Sequence, residues 1–571
     1  MLYDLVVRNG TVVDGSGRPS FRGDVGVKDG RIVAVGRIRE AAAEEVDAEG
    51  HLVAPGFIEV HSHMDAQVFW DPMGTCASWH GVTTTVMGNC GFTLAPCRES
   101  EKDFVLRSLE RAEDISRDAM LAGIDWQWET YAQYLDTLDR IPKGINYAGY
   151  IGHSALRTYV MGERAFEQAA TDDDIAAMRR EVADALRAGA LGFTTSRSPN
   201  HATSDDRPVP SRLATWDEVR ALAGVLGEVG TGLFELANEQ PPTPELRQEY
   251  RGRLRDLAVS TGRPLTYIVA YASAAPDMWR DHLAFFDDAA ALGARLIGQV
   301  HSREFMSVMG FPTNLPFDGL PAWRDLRARP LAEQRALLGD PEVRTRVVDE
   351  ALHGSYRQAI GAETRAPRYD VLRVLDSAAG PWATVAEVAE RRHITPVDAM
   401  IDLSLAADFD LFFGQPFGNE DLDVVLELIR HPRTVVGVSD SGAHVSQIID
   451  SSIPTFLLAY WVREREALTW EDAVRKLTFD PALAWGFQDR GLVQEGSVAD
   501  LVVFDPDRVG PDVPYAATDL PAGAKRLKQK ATGILATVVN GTVLLRDGEA
   551  TGALPGLVIR NPLASAVARP A

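Results

Sequence analysis

Short apolar runs separated by glycine turns open and close the chain. The first 50 residues contain LYDLVVRNG, TVVDGSG, GDVGVKDG and RIVAVG. A similar pattern of apolar runs recurs near the other end in SVADLVVFDP, ATVVNGTVLLRDGEATG and LVIRN. The NG and DG pairs between such runs are typical of hairpins. We therefore predict one small β-sandwich domain formed from both chain ends, residues 1–54 plus 485–560, followed by a flexible tail at 561–571.

Between these ends, strand-like apolar runs alternate with helix-like segments such as 174–189 and 216–230, as in parallel β/α units. Eight such units predict an α/β fold, a (β/α)8 TIM barrel over 55–484, with its functional groups at the C-terminal ends of the strands. The eight candidate strands are GFIEVHSH, VTTTVMGNC, INYAGYIGH, LGFTTSR, GLFELANE, PLTYIVAY, ARLIGQVHS and TVVGVSDSG.

One segment, near 302–375, is too long for an ordinary loop between a strand and a helix. It is interpreted as an insertion over the mouth of the barrel. A surface elaboration without a role in chemistry is the alternative, and the sequence leaves both open.

Composition narrows the class of partner. The 571 residues are 45% hydrophobic and 24% charged, as in globular proteins, and carry a formal net charge of −23. This charge argues against nucleic acid or an anionic membrane as the main partner. No apolar run is long enough to span a bilayer, and the start MLYDLVVRNG does not resemble a signal peptide. With three cysteines, Cys76, Cys90 and Cys97, we expect a cytoplasmic protein, and a homo-oligomer is left open.

Two histidines stand side by side in the first barrel strand, FIEVHSHMDAQVFW. Because side chains alternate along a strand, His61 and His63 share one face, opposite the apolar Ile58 and Val60. Neutral imidazoles in such a place need hydrogen-bond partners or a metal ion. Polar groups recur at the same end of later strands, at Cys90, His153, Thr195 to Arg197, Asn238, Tyr271, His301 and Asp440.

Three motifs resemble the amidohydrolase superfamily, and within it the N-acyl-D-amino-acid deacylase (D-aminoacylase) family. They are PGFIEVHSH, HGVTTTVMGNCGFTLAP (80–96) and VVGVSDSGAH (435–444), and the segment 477–506 is similar as well. The resemblance implies that His61 and His63 are metal ligands, that Cys90 is a cysteine ligand, and that Asp440 both touches the metal and handles the proton. Imidazoles, a thiolate and a carboxylate suit Zn²⁺, and another divalent metal is also compatible.

This ligand set implies a hydrolytic chemistry. A zinc ion polarises a carbonyl and lowers the pKa of a water molecule. A neighbouring carboxylate can take the proton of the water and deliver it to the departing nitrogen.

The fifth and sixth strands depart from the family pattern, which places one histidine on each. GLFELANEQ and PLTYIVAY contain none; Glu235, Asn238 or Glu239 could substitute on the fifth strand, whereas Tyr267 and Tyr271 on the sixth are poor zinc ligands. Many relatives in the superfamily bridge two metals through a carboxylated lysine, but no lysine lies between 144 and 475. We therefore predict one ion rather than two.

Further candidates have two interpretations each. His153 and His301 either complete the site or are hydrogen-bonded residues of the rim. Arg197 is a candidate anchor for a substrate carboxylate, with His201 in the same loop, or pairs with an acid at the surface. Asp65 supports either its loop or the second nitrogen of a histidine.

The leading hypothesis is a metal-dependent hydrolase of an amide C–N bond in a small molecule, with an N-acyl-D-amino acid as the implied substrate. Alternatives are a cyclic amide or lactam hydrolase, a single-metal lyase or decarboxylase, and a scaffold without turnover. A serine hydrolase built on GHSAL (152–156) is disfavoured, because Leu156 stands where the nucleophile elbow requires glycine.

Overall fold

The computed structural model describes residues 3–378, 380 and 382–562. The tail predicted at 561–571 lies outside the described residues except for 561 and 562. The fold is mixed α/β, as predicted. Within the described part of the chain, every helix is too short or too polar to cross a bilayer.

A nine-stranded sheet joins the two ends of the chain. Its central contact is the antiparallel pairing of Leu52–Pro55 with Leu501–Phe504, and the buried residues of both ends form one apolar cluster. In spatial order the strands are Glu549–Ala550, Thr542–Arg546, Ile534–Val539, Leu501–Phe504, Leu52–Pro55, Tyr3–Val12, Phe21–Lys28 and Arg31–Gly36, with Ala42–Asp47 also on Tyr3–Val12.

Each of the eight candidate strands contains a strand that is paired in parallel. One ladder contains six strands, a second contains three, and a third contains two. In order, these are Ile151–Gly152, Gly192–Ser196, Leu233–Ala237, Leu265–Ile268, Leu296–Val300 and Thr434–Val436; then Phe57–Glu59, Val82–Met87 and Asn146–Gly149; then Val438–Ser441 and His61–Ser62.

Amphipathic helices cover these strands, because their apolar faces pack into the largest buried cluster. The two helices predicted at 174–189 and 216–230 are Asp172–Ala188 and Trp216–Val229. The others here are Lys102–Ala112, Arg117–Gly123, Tyr131–Arg140, His153–Met161, Pro244–Thr261, Met278–Ala291, Leu422–Arg430, Ile453–Phe456, the π-helix Leu457–Glu464, Trp470–Leu477 and Phe479–Trp485.

A unit with its own apolar core lies between Leu296–Val300 and Thr434–Val436. The insertion expected near 302–375 lies within this unit, which continues to Gly418. An antiparallel sheet forms its base, with strands Phe305–Met309, Phe412–Gly418 and Arg373–Leu375. Its helices are Pro321–Arg327, Leu331–Leu338, Pro341–His353, Val385–Arg392 and Pro396–Ala406.

Candidate metal centre

The two histidines of the first strand converge at the C-terminal end of the parallel strands. His61 pairs with Val438 in the short ladder, and His63 follows it by two residues, so both rings point the same way. Their ring centroids are 5.5 Å apart, and both side chains are buried. Nitrogens of both rings and the sulfur of Cys90 all lie within 4.8 Å of one another, which is close enough for one ion to contact all three.

Cys90 reaches the histidines from a tight turn after Val82–Met87. Its backbone is left-handed, with φ of 55°, and its Sγ lies 3.5 Å from Nε2 of His61. Burial raises the pKa of the Cys90 thiol well above its ordinary value, and the nearby carboxylates add to this. A thiol in such a place ionises only beside a cation.

Asp440 completes the cluster from the last strand. Its Oδ1 lies 3.3 Å from Nε2 of His61 and 3.6 Å from Nε2 of His63. Burial alone would raise the pKa of Asp440, but the hydrogen bond with His63 and the two imidazoles outweigh burial and hold it well below its usual range. The backbone of Asp440 has φ of 49°, a left-handed conformation that costs energy in a non-glycine residue.

Gln299, on the strand Leu296–Val300, was not identified from the sequence. Its amide oxygen accepts a hydrogen bond from Nδ1 of His61, at 2.5 Å. This bond leaves the lone pair of Nε2 facing Cys90 and Asp440. Burial lowers the pKa of His61 to about 4, so the ring is neutral and can donate to a metal.

Of the three residues considered on the fifth strand, Glu235 reaches the cluster. Its Oε2 accepts a hydrogen bond from the backbone nitrogen of Cys90 at 2.8 Å, and its Oε1 lies 4.0 Å from Sγ. Burial raises the pKa of Glu235 to about 8. On the sixth strand, the hydroxyl of Tyr267 is bonded to His282, 3.0 Å away.

Glu113 and His444 are further members that sequence reasoning missed. Oε2 of Glu113 lies 3.5 Å from Nε2 of His63 and 3.7 Å from Nε2 of His444, and Oε1 is buried without a hydrogen-bond partner among the described residues. Burial raises the pKa of Glu113 to about 8. Burial would lower the pKa of His63, but Glu113 and Asp440 outweigh it and raise it to about 9.

Asp65 acts on the loop beneath the cluster. Its Oδ2 accepts a hydrogen bond from the backbone nitrogen of Gly88, which precedes the turn of Cys90 by two residues. Its carboxylate also interacts electrostatically with His63. Asp65 therefore supports its loop, whereas Nδ1 of His63 is buried without a hydrogen-bond partner among the described residues.

The four residues considered for substrate binding are differently placed. His153 is fully buried, with Thr195 on one ring nitrogen and Glu218 on the other, at 2.8 and 2.9 Å. It is a hydrogen-bonded residue, and neither nitrogen is free to reach the cluster. Arg197 donates to Glu239 at 2.9 Å and to a backbone carbonyl, so it is already paired.

His201 is linked to the cluster through an aromatic ring, whereas His301 is held by neighbouring loops. The ring of His201 packs edge-on against Phe92, 5.1 Å between centroids, and Phe92 in turn lies 6.4 Å from His63. Nδ1 of His301 contacts the carbonyl oxygen of Arg303, and its Nε2 lies 3.5 Å from Oδ2 of Asp450. His301 is thus held at the rim by its own loop.

The donor set fits a divalent cation of intermediate softness. Two imidazole nitrogens, one sulfur and one carboxylate oxygen converge in a buried space, and tetrahedral zinc takes this combination. Buried carboxyls lie beside them at Glu113 and Glu235, and burial raises the pKa of both. A divalent cation would offset the negative charge of the thiolate and carboxylate that hold it.

Comparison with known proteins identifies relatives that match almost the whole chain. The chain is 27% identical to the D-aminoacylase of Alcaligenes xylosoxydans xylosoxydans, covering 98% of each chain. It is 29% identical to the N-acyl-D-glutamate deacylase of the same organism, covering 98% of this chain and 96% of that one. A crystal structure of the N-acyl-D-glutamate deacylase from Bordetella bronchiseptica, complexed with zinc and a phosphonate inhibitor, superposes with a TM-score of 0.66, 25% identity and coverage of 98% and 100%.

The amidohydrolase family pattern matches residues 44–545, which is most of the chain. Family membership agrees with the motif resemblance and with the buried cluster of metal-binding side chains. The chain therefore belongs to the amidohydrolase family and is a hydrolase of carbon–nitrogen bonds other than peptide bonds.

Proposed function

We propose that this protein is a zinc-dependent deacylase of N-acyl-D-amino acids, with His61, His63, Cys90 and Asp440 as the residues that hold the ion. One observation carries the proposal: the donor atoms of these residues, which come from the first, second and last strands, meet in one buried cluster. The relatives named D-aminoacylase and N-acyl-D-glutamate deacylase supply the substrate class.

A bound zinc ion supplies Lewis acidity to an amide carbonyl and to water. The other steps belong to the protein. Asp440 is ionised and 22% exposed, so it can accept a proton from water and return it to the departing nitrogen. Gln299 fixes the ring of His61 through Nδ1, and Asp65 supports the turn that carries Cys90.

We propose a single ion per chain. A second ion beside Cys90 would have Glu235 as its additional carboxylate ligand, but on the sixth strand the hydroxyl of Tyr267 is already bonded to His282. The missing histidines of these two strands therefore favour one occupied position over two.

We further propose that the parallel ladders are parts of one closed (β/α)8 barrel over 55–484, with a β-sandwich domain at 1–54 plus 485–560. At three places the chain passes from a strand of one ladder to a strand of another through a single residue: Val60, Tyr150 and Gly437. The backbone nitrogen of His61 donates to the carbonyl of Gly437 at 3.0 Å, which joins the first strand to the last.

The test combines metal analysis with a substrate screen. Purified protein is stripped with a chelator, reloaded with zinc and assayed on N-acyl-D-amino acids, their L-enantiomers and hydantoins. We expect about one zinc per chain, loss of activity on stripping, recovery on reloading, and preference for the D-acids. Full activity of metal-free protein, or turnover of hydantoins alone, would remove the proposal.

A further inference from the structure

The loop at 355–368 carries a cation, Arg365, that the proposed catalytic chemistry does not use. The guanidinium carbon of Arg365 lies 4.7 Å from the ring centroid of Phe417. Its Nη2 donates to the carbonyl oxygens of Gly361 and Glu363, and its buried Nε has no hydrogen-bond partner among the described residues. Burial lowers the pKa of Arg365, and the nearby Glu363 offsets only part of this effect.

Carboxylates that could neutralise this arginine are engaged elsewhere. Glu363, two residues away, accepts from Nε of Arg111 at 2.9 Å and from the backbone nitrogen of Ile360. Arg197 and Arg303, in loops at the same end of the strands, have partners in Glu239 and Asp450. Within the described part of the chain, no carboxylate lies within ion-pair distance of Arg365.

The loop of Arg365 lies beside the metal cluster. A Cβ built on Gly361 would lie 3.9 Å from Cε1 of His444, and His444 contacts Glu113, which in turn contacts His63. On the other side, Phe417 stacks on Phe305 at 6.0 Å between centroids. Phe305 packs against His301, at the end of the seventh barrel strand. The loop of Arg365 therefore contacts His444 through Gly361, and Arg365 itself packs on the aromatic pair Phe417 and Phe305.

We propose that Arg365 binds the free carboxylate of the substrate, and that Phe305 and Phe417 pack against its apolar part. This inference rests on the proposed deacylase function. A partly buried guanidinium without a carboxylate pairs well with a planar anion, because two parallel N–H bonds match the two carboxylate oxygens. The site would thus select acyclic N-acyl amino acids, which carry such a group, over neutral cyclic amides, which do not.

The experiment compares each N-acyl-D-amino acid with its primary amide, which keeps the scissile bond and removes the negative charge. Arg365→Gln is expected to lower kcat/KM for the acid about 10- to 100-fold, mainly through KM, and to change the amide by less than about threefold. Arg365→Lys should restore part of the activity on the acid. Arg368→Gln is the matched control, because Arg368 lies in the same loop with an exposed side chain.

The outcomes separate the two proposals. If zinc-loaded wild type hydrolyses neither acid nor amide, the deacylase function fails and this inference fails with it. If wild type is a deacylase but Arg365→Gln weakens acid and amide equally, Arg365 has only a structural role. If Arg212→Gln, in the loop that carries His201, shows the acid-selective loss instead, the carboxylate site lies on the opposite side of the mouth.

Discussion

The amide oxygen of Gln299 accepts a hydrogen bond from Nδ1 of His61, although the two residues are more than 200 positions apart. This contact fixes which nitrogen of the imidazole carries the hydrogen and turns the other toward Cys90 and Asp440. Partners of this kind orient metal-bound histidines and raise their basicity.

Replacing Gln299 with leucine should therefore weaken zinc binding about 10- to 100-fold, because the ring loses its orienting partner. Competition with a chromogenic chelator measures the affinity. Gln127→Leu, at an exposed glutamine, serves as the control. Equal zinc affinity of the Gln299 variant and wild type would show that the contact does not position the ligand.

Asp440→Asn tests the proton transfer. The amide cannot accept the proton that the carboxylate takes, so kcat should fall by about 10²- to 10⁴-fold at saturating zinc. Steady-state assays of protein with verified metal content measure this loss. Asp184→Asn, at an exposed aspartate, should leave activity unchanged. An Asp440 variant that kept wild-type kcat would assign the base to another group.

Gly442 is tied to the position of His63. Its φ is 91°, and a Cβ there would lie 2.6 Å from the carbonyl oxygen of His63. Gly442→Ala should displace the strand end that carries the metal ligand and so reduce zinc affinity and activity together. In Gly224→Ala, the new Cβ meets nothing within 4 Å, and the helix should gain up to about 1 kcal/mol. Unchanged zinc binding in Gly442→Ala would contradict the predicted clash.

The buried ion pair of Glu218 with Arg157, which lies away from the metal cluster, should contribute strongly to the free energy of unfolding. Glu218 accepts two hydrogen bonds from Nη1 of Arg157 and contacts His153, and all three side chains are fully buried. Glu218→Leu leaves the arginine without its counter-charge and should cost about 3 to 5 kcal/mol in chemical denaturation at pH 7. Glu228→Gln, at an exposed pair with Arg179, should cost less than about 1 kcal/mol.

The ion pair of Glu218 with Arg157 also predicts that the free energy of unfolding depends on pH. Burial would raise the pKa of Glu218, but the interactions with His153 and Arg157 outweigh it and lower the pKa. A carboxyl whose folded pKa is depressed stabilises the protein above its unfolded pKa, about 4.3, and loses this contribution as the pH falls through the folded value. The deficit of Glu218→Leu should therefore shrink below about pH 4, and a constant deficit would contradict the assignment.

Local patterns were sufficient to predict the parallel strands. Alternation placed His61 and His63 on one face, whereas Cys90 and Asp440 were predicted to join them only through the resemblance of their motifs to the deacylase family. Glu113 carries no such signal, and neither the strand that contains Gln299 nor the motif that ends at His444 indicated that these two side chains reach the site. Their proximity depends on tertiary packing that no short window contains.

For His153, the sequence left two roles open, and the structure shows a hydrogen-bonded residue. Its position at a strand end resembles that of the ligands, and the sequence could not distinguish a rim residue from a site residue. Glu218, from the helix Trp216–Val229, occupies one of its ring nitrogens, and Thr195 occupies the other. The distinction therefore depended on a partner more than 60 residues away.

The pairing of Leu52–Pro55 with Leu501–Phe504 has a consequence for how the chain is made. During synthesis, the first strands leave the ribosome long before the segment that covers their open edge. Until then they present unpaired amide and carbonyl groups that other chains can engage. The sheet that joins both ends is thus completed only after its C-terminal strand has been made, and its early half exposes an open edge until then.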